Sequence, residues 1–146
     1  MALVCRGSAC NRLICIRIVE EDEFGFLGKF HPRRIDVATQ NEAGYALVFP
    51  KQSADQVAHV LEQELLARGW RKELDEKAIG APEIDFIEPA ENQVRVTCGP
   101  VCQEANQDYN TIRYGVRPGE RLVEISPQPN WFMHELHLLK SLFRPK

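Results

Sequence analysis

The clearest pattern of apolar positions in the chain lies between Ser53 and Trp70. Apolar residues recur there at helical spacing, at Val57, Val60, Leu61, Leu65 and Leu66. Ser53 and Gln56 match a capping box at the start of this stretch. Gly69 is placed to take the left-handed conformation that ends a helix, with Trp70 as the apolar residue after it. We therefore predict an amphipathic helix that buries one face against a sheet.

Alternating apolar and polar residues predict strands on both sides of this helix. The predicted strands cover residues 13–19, 35–39, 45–49, 93–98, 111–116 and 121–125, with a further short strand at 84–87. Asn41 to Gly44 and Pro118-Gly119 are typical of hairpin loops, and Gly99-Pro100 is expected to end a strand. Residues 1–12 predict an irregular lead-in, and 24–30 match neither pattern. A second helix, capped by Asn130, is predicted for residues 131–143.

The two halves of the chain repeat the same order of strand, hairpin, proline and capped helix. They correspond when Ile35 is aligned with Ile112 and Pro50 with Pro127. This favours two βββα pseudo-repeats, 13–70 and 93–146, joined by a charged linker 71–92 within a single domain 1–146. The alternative is that any two ββα segments agree in this way. We predict an α+β fold, with a mainly antiparallel sheet, both helices on one face and the other face open to solvent or a partner.

Composition and charge exclude several classes of protein. The chain has 146 residues, 44% hydrophobic and 27% charged, which is an ordinary globular balance. A net charge of −3 gives no general attraction to nucleic acid or to an anionic membrane. No stretch approaches the ~18 apolar residues of a membrane span, and the N-terminus lacks a signal-peptide core. With an odd total of five cysteines, we expect reduced thiols and a cytoplasmic location.

The cysteines are the first candidates for chemistry. A structural zinc site could combine the pairs Cys5-x4-Cys10 and Cys98-x3-Cys102, whose spacings are at or near the usual range. Cys98, at a predicted strand end, could instead be a nucleophile if a base lay beside it. Free cysteine in a strand more often serves as a small apolar residue. We therefore expect neither a metal ion nor another cofactor, and keep the four-cysteine site as an alternative.

Two further candidate sites are surfaces. His134 and His137 share one face of the last predicted helix, and Trp131 precedes them; we assign these residues to partner binding. Histidine at an apolar position is more often a satisfied core residue. If the hairpins are neighbours, Lys29, Arg33 and Arg34 would lie beside basic residues of the second half, which are Arg113, Arg117 and Arg121. Nucleic-acid binding would follow from such a cluster, although the acidic total argues against it.

The sequence favours a non-enzymatic role, because no Walker loop, dinucleotide fingerprint, HExxH or GxSxG occurs in it. The prediction is a small soluble interaction module that binds a protein partner stoichiometrically, as inhibitors, immunity proteins and adaptors do. The alternatives are a zinc-binding or thiol-dependent enzyme that uses the Cys and His pairs, and a small-ligand binder in a groove between the repeats. A homodimer that buries the open sheet face is also left open.

Overall fold

The chain forms an α+β fold around one antiparallel sheet. The computed structural model describes residues 2–5, 15–19, 21–39, 42–75, 83–89 and 93–127. The main sheet contains β3 (Arg33–Thr39), β4 (Glu42–Phe49), β5 (Arg71–Asp75), β6 (Glu83–Ile87), β7 (Val94–Val101) and β8 (Arg121–Pro127). The strand order is β3-β4-β8-β7-β6-β5, and β1 (Ala2–Cys5) and β2 (Cys15–Ile18) form a separate antiparallel pair. The predicted α+β class and antiparallel sheet are confirmed.

Two α-helices and two 3₁₀ helices complete the described structure. They are α1 (Ala54–Ala67), α2 (Tyr109–Arg113) and the 3₁₀ helices at Glu21–Phe30 and Glu104–Asn106. We call Glu21–Phe30 the 3₁₀ segment. None of the helices in the described part of the chain is long and apolar enough to cross a membrane. The last predicted helix, residues 131–143, lies outside the described residues.

The first face of the sheet carries the main core. Alternate residues of the four central strands point to this face: Tyr45, Leu47, Phe49, Phe86, Val94, Val96, Cys98, Val123 and Ile125. Val57, Leu61 and Leu65 of α1 pack on them and are fully buried. The apolar stripe of the sequence is therefore the face that α1 buries, as predicted. Leu66 is the exception, because 45% of its surface stays exposed.

Helix α1 ends as predicted but begins differently. Gly69 has φ +84, and the Trp70 N–H donates to the Leu65 carbonyl at 2.9 Å, as in a Schellman ending. The Ser53 hydroxyl does not cap the helix. It lies 3.3 Å from the Pro50 carbonyl and 3.4 Å from the Phe30 carbonyl instead, and the second contact ties the start of the helix to the 3₁₀ segment. The predicted capping box is wrong because these contacts take the hydroxyl away from the first turn.

The 3₁₀ segment, which sequence periodicity left unassigned, packs against the same core. Phe24 and Leu27 are buried, and the Phe24 ring meets Trp70 edge-on, with centroids 6.1 Å apart. Phe30 meets Phe49 in the same way at 6.5 Å. The segment kinks at Phe24. Short 3₁₀ turns do not follow the 3.6-residue period, which explains why the sequence pattern is obscure here.

The second face of the sheet is partly covered, which corrects the prediction that it is open. A smaller cluster there combines Ala46, Val48 and Leu122 of the sheet with Cys102, Tyr114 and Val116. The segment that contains α2 supplies part of this cover, since the amide of Asn110 donates to Glu124 at 3.3 Å. The prediction of two helices on one face concerned α1 and the helix at residues 131–143, which lies outside the described residues, so this arrangement stays a prediction. The short helix α2, which the sequence pattern does not predict, lies on the face opposite α1.

The second predicted repeat lacks one of its strands. Residues 111–116 were predicted to be a strand, but Thr111 to Arg113 lie in α2, where the Asp108 side chain caps the Thr111 N–H at 2.8 Å. Ile112 is therefore helical, whereas Ile35, the residue aligned with it in the predicted repeat, lies in strand β3. The predicted turn is confirmed, because Glu120 N–H donates to the Arg117 carbonyl and Gly119 has φ +91. The described residues do not show the pseudo-repeat.

The charged segment 71–92 is more than a linker, because it contributes β5 and β6 to the sheet.

Smaller corrections concern the residues at which strands begin and end. Residues Glu42 to Gly44, predicted as loop, belong to β4, and β7 continues through Gly99-Pro100 to Val101 with an irregularity in its register. Ala2–Cys5, predicted as irregular, is β1. Glycine and proline mark a bulge in β7 rather than an end.

Candidate functional site

One end of the sheet gathers basic side chains from separate parts of the sequence. Arg33 pairs with Val48 in the β3–β4 register, and Phe49 pairs with Arg121 in the β4–β8 register. The start of β3, the end of β4 and the start of β8 therefore lie side by side. We call this region the basic end and define it by its exposed cations, Lys29, Arg33, Lys51, Arg113 and Arg117. The predicted proximity of the two sets of basic residues is confirmed for Arg33, which donates to the Tyr114 and Gly115 carbonyls.

These cations differ in the hydrogen bonds, ion pairs and ring contacts that their side chains already make. The Lys51 and Arg117 side chains are exposed, and neither has a hydrogen bond or ion pair with another residue that the structure describes. Arg33 lies 3.9 Å from the Glu120 carboxylate and keeps 45% of its side chain exposed. Arg113 lies over the Tyr114 ring, 5.4 Å from its centroid. Lys51 and Arg117 are thus the groups most available to an anionic partner.

Arg121 belongs to the structure rather than to this surface. Its side chain is only 13% exposed. Its Nε donates to the Ala54 carbonyl at 2.7 Å, and its Nη1 donates to the Gly99 carbonyl at 2.6 Å. These bonds join the start of α1 to the irregular part of β7. A guanidinium that is buried and hydrogen-bonded in this way holds elements together and cannot reach out to a ligand.

The anionic groups near the basic end are few and partly committed. Glu120 accepts from the Arg117 N–H at 2.7 Å and faces Arg33, and only 16% of its side chain is exposed. Asp55 points to solvent, 3.9 Å from Arg121. The chain as a whole carries a net charge of −3. The basic end is therefore a local positive field on an acidic protein.

Helix α2 adds an exposed apolar pair beside these cations. Tyr109 and Ile112 are three residues apart and share one side of the helix. They are 74% and 66% exposed, the two highest values among the exposed large apolar side chains of the described residues. Arg113 follows them, and the end of α2 meets Arg33 through the Tyr114 carbonyl. The pair and the basic end are thus neighbouring parts of one surface.

A cleft of about 1000 Å³ opens on the other side of the basic end. It lies between the end of the 3₁₀ segment and the first half of α1. Its lining is largely apolar and includes Phe30, Pro50 and Val60. Its polar lining residues are Lys29, His31, Gln52, Ser53, Asp55, Gln56 and His59. It continues into the basic end because Lys51 follows Pro50 directly and Arg33 lies two residues after His31.

His31 has an uncommon backbone conformation at the edge of this cleft. Its φ is +53, and it is the one non-glycine residue with positive φ in the described part of the chain. Its N–H donates to the Gly28 carbonyl at 3.0 Å, which closes the turn between the 3₁₀ segment and β3. Histidine tolerates the left-handed region better than most residues do. The turn directs the chain from the cleft into the basic end.

The sequence-predicted sites are only partly described. Trp131, His134 and His137 lie outside the described residues, as do Cys10 and the side chain of Cys5. Cys98 is buried in the core under α1, whereas Cys102 is buried in the cluster on the opposite face. The structure therefore places Cys98 and Cys102, two of the four thiols of the alternative zinc site, on opposite faces of the sheet. Across the described ranges, no group of three histidine, cysteine, aspartate or glutamate side chains is placed to hold a metal ion.

The environment of Cys98 disfavours a nucleophilic role. Burial raises the pKa of the Cys98 thiol above its ordinary value of 9.0, and the nearby Arg121 only partly offsets this. Its Sγ lies 3.8 Å from Arg121 Nη1. A reactive cysteine needs a lowered pKa and access to substrate, and this thiol has neither.

Asp85 is a buried carboxylate on the second face of the sheet, and each of its oxygens accepts a hydrogen bond. It accepts from Arg95 at 2.9 Å and from Thr97 at 2.8 Å. Both partners lie on β7, next to Asp85 of β6. The pair is a structural contact between strands.

Several residues of this surface were missed by sequence reasoning. Lys51, His31 and His59 received no role, because a surface charge or a single histidine carries no signal until the fold supplies its neighbours. The sequence pattern predicts a polar loop at Tyr109 and a strand at Ile112, whereas both residues lie in α2. Asp108 three residues before Thr111 was the signal for α2 that could have corrected this.

The chain matches no protein-family model, no curated protein and no solved structure.

Proposed function

We propose that the chain is a small soluble interaction module that binds an acidic protein partner stoichiometrically through its basic end. It acts as a binding protein rather than an enzyme, in the manner of inhibitors, immunity proteins and adaptors. One observation carries the proposal. Cations from separate parts of the sequence, Lys51 and Arg117 among them, meet at one end of a chain whose net charge is −3.

Electrostatics supports a partner of opposite charge. A concentrated positive region steers an acidic surface toward one orientation and raises the association rate. The negative charge elsewhere on the chain disfavours other orientations. Lys51 and Arg117 have no ion pair with another described residue, so among those residues no carboxylate competes directly with one from a partner.

The apolar pair on α2 supports a protein partner in particular. Tyrosine and arginine are enriched among residues that dominate binding energy, and an apolar centre with a polar rim is the usual anatomy of an interface. Tyr109 and Ile112 supply such a centre, and the basic end supplies a charged rim. Nucleic acid would also be attracted to the cations, and it is an outcome of the experiment below.

The test is co-purification of the tagged chain from its natural source, with native mass measurement of the complex. The variant Lys51→Glu/Arg117→Glu reverses charge at the basic end. The variant Arg71→Glu/Lys72→Glu makes the same change in net charge on β5, at the far edge of the sheet. Thermal melts confirm that each variant is folded.

We expect a second protein chain to co-purify at a fixed ratio with the wild type and with the β5 variant. High salt should release this second chain, because it screens the charges that hold the complex together. The basic-end variant should lose it. Retention of that chain by the basic-end variant, or nuclease-sensitive nucleic acid as the bound species, would overturn the proposal.

Two further parts of the prediction stay proposals. Trp131, His134 and His137 stay proposed as partner-binding residues on the sequence pattern alone, and His134→Val/His137→Val in the same experiment tests this role. A cytoplasmic location is supported by the free, buried thiols of Cys98 and Cys102.

A further inference from the structure

We infer that the cleft beside the basic end receives an extended acidic segment of the partner, with an apolar side chain of that segment seated between the 3₁₀ segment and α1. This inference rests on the proposed function, because it specifies which feature of an acidic partner the chain recognises. The occupant is a peptide segment in which one apolar residue is flanked by aspartate or glutamate.

The apolar lining of the cleft indicates that the part of the peptide that enters it is an apolar side chain. This apolar lining comes from three elements: Phe30 ends the 3₁₀ segment, Pro50 follows β4, and Val60 belongs to α1. The Phe30 ring is fixed by edge-on packing against Phe49, and Val60 packs against the core. A preformed apolar surface of this kind stabilises an apolar side chain by removing it from water.

The side chains at the rim of the cleft indicate that the peptide is negatively charged on either side of its apolar residue. Lys29 and His31 lie on the side that leads into the basic end, and His59 lies across from them on α1. Lys51 and Arg33 lie beyond the cleft next to this side, so that Lys29, Arg33 and Lys51 are the cations near the rim. The one carboxylate in the lining, Asp55, is turned to solvent near Arg121. Acidic residues on the basic-end side of the apolar one would therefore meet positive charge.

The dimensions indicate an extended chain. The part of α1 that borders the cleft runs from Ser53 to Val60, about 10 Å at the rise of an α-helix. That length matches about three residues of extended chain. The cleft is bordered by the exposed side chains of Gln52, Gln56 and His59, so it is a groove along the helix that a chain can enter from the side. The basic end then receives the residues that follow.

The experiment uses six fluorescein-labelled heptapeptides as probes. Each has leucine, isoleucine, valine, methionine, phenylalanine or tryptophan at its centre and aspartate or glutamate at the other positions. A seventh peptide has serine at the centre. Binding to the full chain is measured by fluorescence anisotropy at low salt.

The protein variants are matched in chemistry. Gln56→Trp fills the cleft, and Gln63→Trp places the same side chain on an exposed part of α1 outside it. Lys51→Glu/Arg117→Glu removes charge from the basic end without altering the cleft lining.

We expect at least one apolar-centred peptide to bind wild type about tenfold more tightly than the serine peptide. Gln56→Trp should reduce that ratio to below about twofold, and Gln63→Trp should preserve it. The basic-end variant should weaken every peptide, the serine peptide included.

The two proposals fail in different ways. Equal binding of all seven peptides, weakened by the basic-end variant, would overturn the role of the cleft and leave the acidic-partner proposal standing. Binding unaffected by the basic-end variant would contradict the proposed function. Absence of binding by all peptides, or an unchanged ratio in Gln56→Trp, would also overturn this inference.

Discussion

Leu61 is the position at which the packing of α1 can be tested most directly. It is fully buried in the main core, in the middle turn of the helix. Leu61→Ala removes three carbons, which corresponds to about 2.4 kcal/mol of lost transfer free energy at ~0.8 kcal/mol for each. A residual cavity of roughly 50 Å³ would add about 1.2 kcal/mol. We therefore expect the free energy of unfolding to fall by about 3–4 kcal/mol.

The same substitution at Leu66 is the matched control. Leu66 lies on the same helix but is 45% exposed, so alanine there removes few packing contacts. We expect a loss below about 1 kcal/mol. Both side chains change identically, and helix propensity changes equally in the two variants, since alanine replaces leucine in both. Only burial distinguishes them.

Urea denaturation followed by far-UV circular dichroism measures both variants. The slope of the transition should stay unchanged, which shows that the midpoint reports stability. For a chain of this size the Leu61 variant should also melt about 10 °C lower, at ~3 °C per kcal/mol. Equal midpoints for the two variants, with equal slopes, would refute the orientation of α1 on the sheet.

Three further outcomes follow from contacts in the described structure. Arg121→Met should cost about 2–4 kcal/mol in unfolding free energy, because the carbonyls of Ala54 and Gly99 lose charged hydrogen bonds, whereas Arg117→Met should stay within ~0.5 kcal/mol. Gly44→Ala should cost about 2 kcal/mol or more in the same denaturation assay, because its Cβ would lie 2.6 Å from the Ile125 carbonyl oxygen; Gly25→Ala, which meets nothing within 4 Å, should be nearly neutral. Burial raises the pKa of Cys98 above 9.0, so the folded protein keeps this proton when the unfolded chain has lost it, and stability should fall as pH rises above 9.0. Cys98→Ala should flatten that part of the profile, and an unchanged slope would contradict the assignment.

The sequence predicts the elements whose pattern is long and regular. The α1 stripe, the alternation of Val94, Val96 and Cys98, and the turn at Pro118-Gly119 all lie where the structure has them. Each of these signals is local, because the period or the glycine acts within a few residues. Fold class followed from them without knowledge of strand order.

The failures occur where tertiary contacts override local preference. Thr111 to Val116 contains the apolar residues of a strand, but the Asp108 cap and the burial of Tyr114 against the second face produce a helix. The charged run Arg71 to Asp75 forms an edge strand, because an edge tolerates solvent-exposed charges. Ser53 bonds to Phe30, a partner far away in sequence. None of these contacts has a signature in the local pattern.

The candidate site was the least predictable part. Lys29, Arg33, Lys51 and Arg117 are spread along the sequence, and only the β3–β4–β8 register brings them to one end. Tyr109 and Ile112 are ordinary in sequence and become unusual only through their exposure. Surface arrangements of this kind are properties of topology rather than of any single stretch of sequence.

The position of β8 between β4 and β7 has a consequence for how the chain folds. The hairpin β3–β4 and the meander β5–β6–β7 are each built from neighbours in sequence, but neither touches the other in the sheet until β8 joins them. During synthesis, the strand edges at Tyr45–Phe49 and Val94–Cys98 would stay unpaired until Arg121–Pro127 has been synthesised and can pair with both. Such long-range pairing slows folding and exposes apolar strands to association in the meantime. A nascent or truncated chain that stops before β8 would therefore be the aggregation-prone species, and assembly of the six described strands into one sheet would depend on β8.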